Sequence, residues 1–484
     1  MSERPPEYNG LRFTADAADC AIHIAIDSHS ACSYGCDYCF SNSLMRSPER
    51  YSVKKEVMEK FNVRQLEFPI KKFVAFLRQD LTGSVPKAMY PLLDKRRPIQ
   101  LGALGEPFDE EERRSGWALK ALDFLASFGY PVRISTKGGK TILRDEYLDA
   151  FGKASKWLWV NFSIIHPEDD VLIKIDRGAP PPSVRFEAMK ALSDLGVKTG
   201  LRYRPIFPHL ALKKVNGEPA WKVMIDNAVE AGAKAISFEF IFLNHTANAL
   251  QRSLYGNIQK VIGVKDFVKY WKHHSVRNQN CLRANRLLKY GLFKNIREYS
   301  KEQGLTVGIS DPHFKEWCDS ACCCGILESD PVFGNFSKKC LTTLVVEGRK
   351  AYEESGDNLR FQFESSVPDW AKEVRLAEMV CLSSADKHKQ LKDCTWYDKL
   401  RNSWNNPSHF RSPYYYFEGV LAPVELDDNG DVIYEYRHWE GQIYKDLDKL
   451  KRLAKDPKLP NIPTVPMVQT PIVRRKRTLK EAFN

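Results

Sequence analysis

The chain has 484 residues, enough for one large domain with appendages or for two to three domains, and 43% hydrophobic with 12% aromatic residues is the content of a packed globule. Lys and Arg number 73 against 61 Asp and Glu, a net charge of +12 that suits a polyanionic partner, nucleic acid first, and also serves plain solubility. No apolar run approaches a membrane span, the longest, Ala235 to Leu243, being strand-sized, and Met1 to Arg12 lacks the apolar stretch of a signal peptide. Twelve cysteines without an export signal point to metal or redox chemistry in a reducing compartment, hence to a cytoplasmic location.

From Ala21 to about Asn244, strand-like and helix-like segments alternate. Ala21 to Ile26, Pro98 to Leu104, Val132 to Thr136, Leu158 to Ile164, Val197 to Pro205 and Ala233 to Phe242 read as strands. Val63 to Leu77, Trp117 to Phe128 and Val184 to Leu195 read as helices, the last two stopping near Gly129 and Gly196. The alternation predicts an α/β fold with a parallel sheet and right-handed crossovers, whose chemistry lies at the carboxyl ends of the strands.

The first such end carries Ala31 to Phe40, A-C-S-Y-G-C-D-Y-C-F, with Cys32, Cys36 and Cys39 spaced C-x3-C-x2-C. Thiolates are soft ligands suited to iron-sulfur clusters and zinc. Three of them leave a four-ligand site incomplete, and a cubane held by three keeps one iron open to a substrate. The alternative, a zinc knuckle, wants a fourth Cys or His, and the residues up to Ile70 offer none. Leu104-Gly105-Glu106-Pro107 stands at the second strand end, Ser135-Thr136-Lys137-Gly138-Gly139 at the third and Phe162-Ser163-Ile164 at the fourth. A Lys there can hold a carboxylate and a Ser a ribose; Glu106 also fits a plain acidic residue near a helix N-terminus.

The cysteine spacing, with Tyr38 just before the last cysteine, resembles the radical S-adenosylmethionine (radical SAM) superfamily. Leu104 to Pro107 resembles its Gly-Gly-Glu-Pro segment with one glycine replaced. The run I-S-T-K at Ile134, N-F-S-I at Asn161, Pro182-Ser183-Val184-Arg185, Tyr203-Arg204-Pro205-Ile206 and Ser237 to Ile241 is similar to the spore photoproduct lyase branch, over roughly Ile24 to Thr246. The resemblance implies a partial (β/α)6 barrel with a 4Fe-4S cluster on Cys32, Cys36 and Cys39. It further implies S-adenosylmethionine held by Tyr38, Gly105, Glu106, Lys137, Ser163 and Arg204, with Tyr38 against the cluster as the candidate catalytic residue, and a low-potential electron donor as partner. That branch repairs a thymine dimer in DNA, with a hydrogen-donor cysteine at the end of the second strand and tyrosines on both sides of the third cluster cysteine. Here the donor position falls at Leu104 or Gly105 and the second tyrosine is Phe40, which implies the same radical generator with a different outcome.

Beyond Asn244 the character changes. Lys260 to Arg297 holds ten Lys or Arg against one acid, Asp266, with Phe267, Tyr270, Trp271, Tyr290 and Phe293 interleaved. This is either a phosphate-neutralising, base-stacking face or a pair of basic helices with aromatic cores. Cys281, Cys318, Cys322, Cys323, Cys324 and Cys340 follow as a possible second site, for another iron-sulfur cluster, for zinc or as a thiol patch, with His313 nearby; Cys20, Cys381 and Cys394 read as isolated packing residues. Thr395 to Phe417 carries eight aromatics that suit either base stacking or a small core. Pro457, Pro460, Pro463 and Pro466 mark an extended connector before the basic run Arg474 to Lys480. The expected organisation is an N-terminal extension (1–20), a radical SAM partial barrel (21–245), a Cys-rich basic extension (246–345), a C-terminal α+β region (346–455) and a connector with a basic tail (456–484). The functional expectation is a radical SAM enzyme modifying or rearranging nucleic acid, a DNA base first. A peptide or small-metabolite substrate, or a non-catalytic zinc-containing nucleic-acid-binding protein, are the alternatives.

Overall fold

The structure is a computed structural model that describes residues 8, 10–14, 18–30, 32–41, 66–80, 84–244, 249–264, 267–268, 271, 275–278, 281–375, 394–409 and 411–438. The proline-rich connector, the basic tail, Cys381 and the side chain of Cys281 lie outside the described residues.

One eight-stranded sheet organises the chain: β1 (Leu11–Phe13), β2 (Ile24–Ile26), β3 (Ile99–Leu101), β4 (Val132–Thr136), β5 (Leu158–Ser163), β6 (Lys198–Ile206), β7 (Ala235–Phe240) and β8 (Thr306–Ile309). Spatial order equals chain order; β1 is antiparallel to β2, and every later pair is parallel. Strands buried on both faces form β2 to β5, as parallel strands covered by helices must. The crossovers run through α1 (Ile70–Leu77), α2 (Trp117–Phe128), α3 (Asp145–Ala154), α4 (Pro182–Asp194), α5 (Ala220–Glu230) and α6 (Arg286–Glu302). Helix α2 buries Trp117, Ala118, Ala121, Leu122 and Leu125 and stops at Gly129, whose left-handed backbone (φ 72°) lets its N–H cap Leu125 O.

The six expected parallel strands are all present, and two more flank them. The seventh parallel member, β8, lies in the stretch read from sequence as a Cys-rich extension. The residues after β8 return into the sheet: Asn161 Nδ2 of β5 donates to Cys324 O at 3.3 Å and Arg204 Nη2 of β6 to Cys323 O at 2.6 Å. Gly308 of β8 permits this approach, since a Cβ there would stand 2.5 Å from Cys323 O and 2.6 Å from Gly325 N. The same loop packs with Cys20 and Ala21, just before β2. A loop that meets both the β5–β8 half and the start of β2 requires a sheet curved around it, an open half-barrel with β1 and β8 as its edges. Farther on, helix Leu341–Ser355 packs against the strand Val432–Tyr436, where Gly348 lies so close to Tyr436 that a Cβ would be 2.5 Å from its ring. That strand pairs with Leu421–Leu426 and Arg360–Phe361, an α+β unit as expected.

Candidate active site

The cysteine loop follows β2 and is fastened by backbone contacts far away in sequence. Asp37 N donates to Ile175 O at 3.0 Å, Gly178 N to Tyr34 O at 2.9 Å and Ser33 N to Asp109 Oδ2 at 2.7 Å. Gly178 has to be glycine, because a Cβ would lie 2.9 Å from Tyr34 O. Across the loop, Asp27 Oδ1 accepts from Leu104 N (2.8 Å) and Gly105 N (3.1 Å), so the second strand end is pinned to the first. Cys39 Sγ lies 2.9 Å from Ser41 Oγ, which donates to Leu104 O at 3.0 Å.

Between loop and sheet sits a buried ionic network that no short-range motif announces. Asp176 accepts from Tyr38 OH at 2.5 Å, Lys137 Nζ at 2.8 Å and Arg185 Nη1 at 2.8 Å, and both Asp176 and Arg185 are fully buried. Lys137 Nζ also reaches Tyr38 OH and stands 3.2 Å from Cys36 Sγ and 4.5 Å from the Tyr38 ring centre. Burial pushes the Asp176 carboxyl up, but Lys137 and Arg185 outweigh it and hold it well below the usual range. Burial likewise works against the Lys137 ammonium, and Asp176 and Cys36 reverse the direction to upward. The Cys36 thiol is pushed up by burial and by Asp176, with Lys137 opposing. A cation already beside Cys36 favours its thiolate, the form a metal requires.

These groups open on a cavity of about 890 Å³, its mouth included, at the carboxyl ends of the strands. Cys32, Cys36, Cys39 and Tyr38 line one side, with Gly105, Glu106, Lys137 and Ser163 beside them and Arg202, Arg204 and Glu239 across it. Every residue expected to hold the first cluster or S-adenosylmethionine therefore faces one space. Glu106 is buried and accepts from Thr136 Oγ1 (2.6 Å), Lys137 N (2.6 Å) and Phe108 N (3.1 Å). Burial raises its pKa to about 7 against the pull of those hydrogen bonds. Among the described residues, the cavity holds no cysteine besides the three of the loop. The structure adds Asp27, Asp176 and Arg202 to the set. Only a contact across 138 residues joins Asp176 to Tyr38.

The later cysteines divide. Cys322, Cys324 and Cys340 share a buried cluster with Ala21, Ile22, Trp159 and Phe333, and Cys20 and Cys323 pack against it. Cys20 is thus no isolated packing residue. Cys340 Sγ lies 3.5 Å from Thr343 Oγ1, and Cys318 Sγ accepts from Ile309 N at 3.0 Å. His313 is committed elsewhere, its Nδ1 at 2.7 Å from Lys289 Nζ and its Nε2 at 2.7 Å from Glu418 Oε1. Among the described residues, no three His, Cys, Asp or Glu side chains are already gathered about a point as a bound metal would gather them, the Cys32–Cys39 loop included.

The basic stretch is less open than its composition suggests. Phe267, Trp271 and Phe293 are buried in the main core, and Tyr290 packs against it. Arg283 pairs with Glu239 at 3.1 Å and Lys289 with Asp311 at 2.7 Å, while Arg297 donates to Trp317 O. For Phe267, Trp271 and Phe293 the base-stacking reading is corrected to a core reading, since none of these three rings has a face left for a base; Tyr270 lies outside the described residues. Trp396, Trp404 and Phe417 are buried in the same way. No helix among the described residues is long and apolar enough to cross a membrane.

Residues 27–210 match the family model described as the radical SAM superfamily. Among curated proteins, the chain is 23% identical over 229 residues to the uncharacterized protein Rv2578c of Mycobacterium tuberculosis and equally to Mb2609c of Mycobacterium bovis. The match covers 43% of this chain and 60% of those relatives' length. Among solved structures, spore photoproduct lyase with bound AdoMet and dinucleoside spore photoproduct is 14% identical over 62% of this chain and 78% of that one, with a TM-score of 0.42. Streptococcus suis SuiB bound to the precursor peptide SuiA is 13% identical over 45% of this chain and 38% of that one, with a TM-score of 0.30. The cysteine loop and the strand-end glutamate and lysine all fall within residues 27–210, the part of the chain that matches the radical SAM superfamily.

Proposed function

We propose that the protein reductively cleaves S-adenosylmethionine in this cavity and uses the 5'-deoxyadenosyl radical to modify or rearrange a nucleic acid, a DNA base first. The observation that carries the reading is the convergence of Cys32, Cys36 and Cys39 with Glu106, Lys137 and Ser163 on one cavity. Three soft thiols on one wall fit a 4Fe-4S cluster with one iron open, and such a cluster, when bound, would supply the electron that splits the sulfonium. In this reading Glu106 holds an ammonium, Ser163 a ribose or carboxylate, and Tyr38 packs beside the cluster. Lys137 is already held by Asp176, so its first task is to orient Tyr38 and favour the Cys36 thiolate. Gly105, pinned by Asp27, presents backbone to the ligand, and Arg204 closes the opposite wall.

For nucleic acid speak the net charge of +12 and the mouth of the cavity, where Phe40 stands exposed 5.9 Å from Phe242 and Arg283 lies 4.8 Å over the Phe242 ring. An aromatic pair with a guanidinium suits an unstacked base. The resemblance to the lyase branch points the same way. No thiol stands at the lyase's donor position, so the product radical has no cysteine there to quench it, which favours rearrangement or substitution over simple repair. A peptide or metabolite is the second reading, favoured by the internal pairing of Arg283 and Lys289. A low-potential donor supplies the electron, and a cytoplasmic location accords with free thiols. The test is mass spectrometry of digested DNA and RNA from cells with and without the protein. A nucleoside that depends on the protein is the expected result; unchanged nucleosides, with 5'-deoxyadenosine formed only on adding a peptide or metabolite, would move the proposal to the second reading.

A further inference from the structure

The floor of the half-barrel, below the S-adenosylmethionine cavity, is the most unusual environment in the molecule. The loop Cys318 to Gly325 lies across β5 to β8, held by Asn161, Arg204 and Ser237 through the carbonyls of Cys323 and Cys324. From the other edge of the sheet comes Cys20, 3.6 Å from Gln100 Nε2. Cys20 and Cys323 pack against the buried cluster that contains Cys324, and Cys318 Sγ accepts from Ile309 N, next to Gly308, on which Cys323 O closes.

Three arginines with no carboxylate of their own link this floor to the cavity above: Arg204 donates to Cys323 O, Arg133 to Gln100, which contacts Cys20, and Arg202 stands beside Arg204 on the cavity wall. Arg133 (3% exposed) and Arg204 (9% exposed) are buried and Arg202 is half-buried; among the described residues none of the three belongs to an ion pair, and the Nε atom of each is buried without a hydrogen-bond partner. Among the described residues Arg133 hydrogen-bonds only Gln100 Oε1, at 3.0 Å, and Arg202 only Ser163 Oγ, at 3.4 Å. Glu239, which lines the same cavity wall as Arg202 and Arg204, is bound to Arg283. Guanidinium groups stay protonated in proteins, and burying charge without a counter-charge is costly. Neutral thiols give no compensation. Four thiolates about a zinc ion or an oxidised 4Fe-4S core form a dianion, which the guanidinium N–H groups can both neutralise and hydrogen-bond.

We propose that this floor holds a second, thiolate-bound metal centre ligated by Cys20, Cys318, Cys323 and Cys324 and charge-balanced by Arg133, Arg202 and Arg204. On binding, each ligand releases its thiol proton to solvent, and the four sulfurs draw together, as those of the first loop must. The proposed set differs from the one expected from sequence by recruiting Cys20 and by leaving Cys322 and Cys340 to packing. It goes beyond the proposed function and depends on neither the substrate nor S-adenosylmethionine cleavage.

The test uses the full chain with Cys32, Cys36 and Cys39 all replaced by Ala and purified anaerobically, which removes the first cluster. The expected result is a folded protein that keeps roughly half the wild-type iron and sulfide, or one zinc if zinc is the metal. Adding Cys20→Ala and Cys323→Ala should abolish that metal, whereas adding Cys322→Ala and Cys340→Ala should not. A folded triple variant without iron or zinc would overturn the proposal, as would retention of metal after loss of Cys20 and Cys323. If the variants do not fold, the metal content of the wild-type protein decides. Iron beyond a single cubane, or stoichiometric zinc, supports the second centre; the iron of one cubane and no zinc overturns it. Because the triple variant cannot turn over S-adenosylmethionine, this outcome is separate from that of the proposed function.

Discussion

Asp176 is the residue on which the geometry of the cysteine loop turns. It is a fully buried anion between Lys137, Tyr38 and Arg185, and removing one member of such a group leaves the others charged and unpaired. Asp176→Asn should therefore cost about 3–5 kcal/mol of stability, read from chemical denaturation. In the fraction that folds, it should lower iron retention by about 10-fold or more through the freed Lys137 and Tyr38. An unchanged midpoint would contradict the network. Glu106 offers a second, chemical test. Its pKa in the free protein is raised to about 7 by burial, and a bound ammonium favours the ionised form, so the bound pKa is lower. S-adenosylmethionine affinity should be full above pH 7 and fall as pH drops below it. In Glu106→Gln, equilibrium binding from about pH 6 to about pH 8 should be weaker and flat; a retained pH dependence would assign the titration to another group. The cysteine spacing, Glu106, Lys137 and Ser163 could be read in the sequence because each sits at a strand end with local punctuation. Asp176 could not, because its partners are brought together only by the packing of the loop on the segment after β5.

At the level of elements, the parallel strands were legible because β2 to β5 are short runs dominated by Ile, Val, Leu and Phe and broken only by single polar residues such as Gln100, Arg133 and Asn161, with a glycine helix stop at Gly129 before β4. Two strands were not. Three residues, Leu11–Phe13, carry too little periodicity, and Thr306–Ile309 lies in a stretch whose cysteines suggested a separate extension. The structure makes that stretch the interior of the half-barrel, and Gly308 is its hinge of fit. Gly308→Ala would drive a methyl to 2.5 Å from Cys323 O, a backbone atom with no rotamer to yield. A loss of about 1–3 kcal/mol is expected, visible as a lower thermal midpoint. Gly256→Ala, where no atom lies within 4 Å of the added methyl, is the matching control. Equal midpoints for the two would show that the loop does not dock on β8.

For the whole molecule, charge is the quantity that sequence reading overvalued in one place. The net +12 stands, but Arg283, Lys289 and Arg286 in the basic stretch are engaged with Glu239, Asp311 and Glu418. Under the proposed function, the grip on nucleic acid then rests on the cavity mouth. Phe40→Ala and Phe242→Ala should each weaken single-stranded DNA binding by about 1–3 kcal/mol with little change in its salt slope, measured by fluorescence anisotropy across a salt series. Binding that is insensitive to both variants and flat in salt would favour a peptide or metabolite substrate.

The most direct measurement is product analysis of the anaerobically reconstituted protein mixed with S-adenosylmethionine and a strong reductant. The wild-type protein should form 5'-deoxyadenosine and methionine in equal amounts, and Cys36→Ala none. Intact S-adenosylmethionine in a sample shown to carry iron and sulfide on Cys32, Cys36 and Cys39 would contradict the account at its centre.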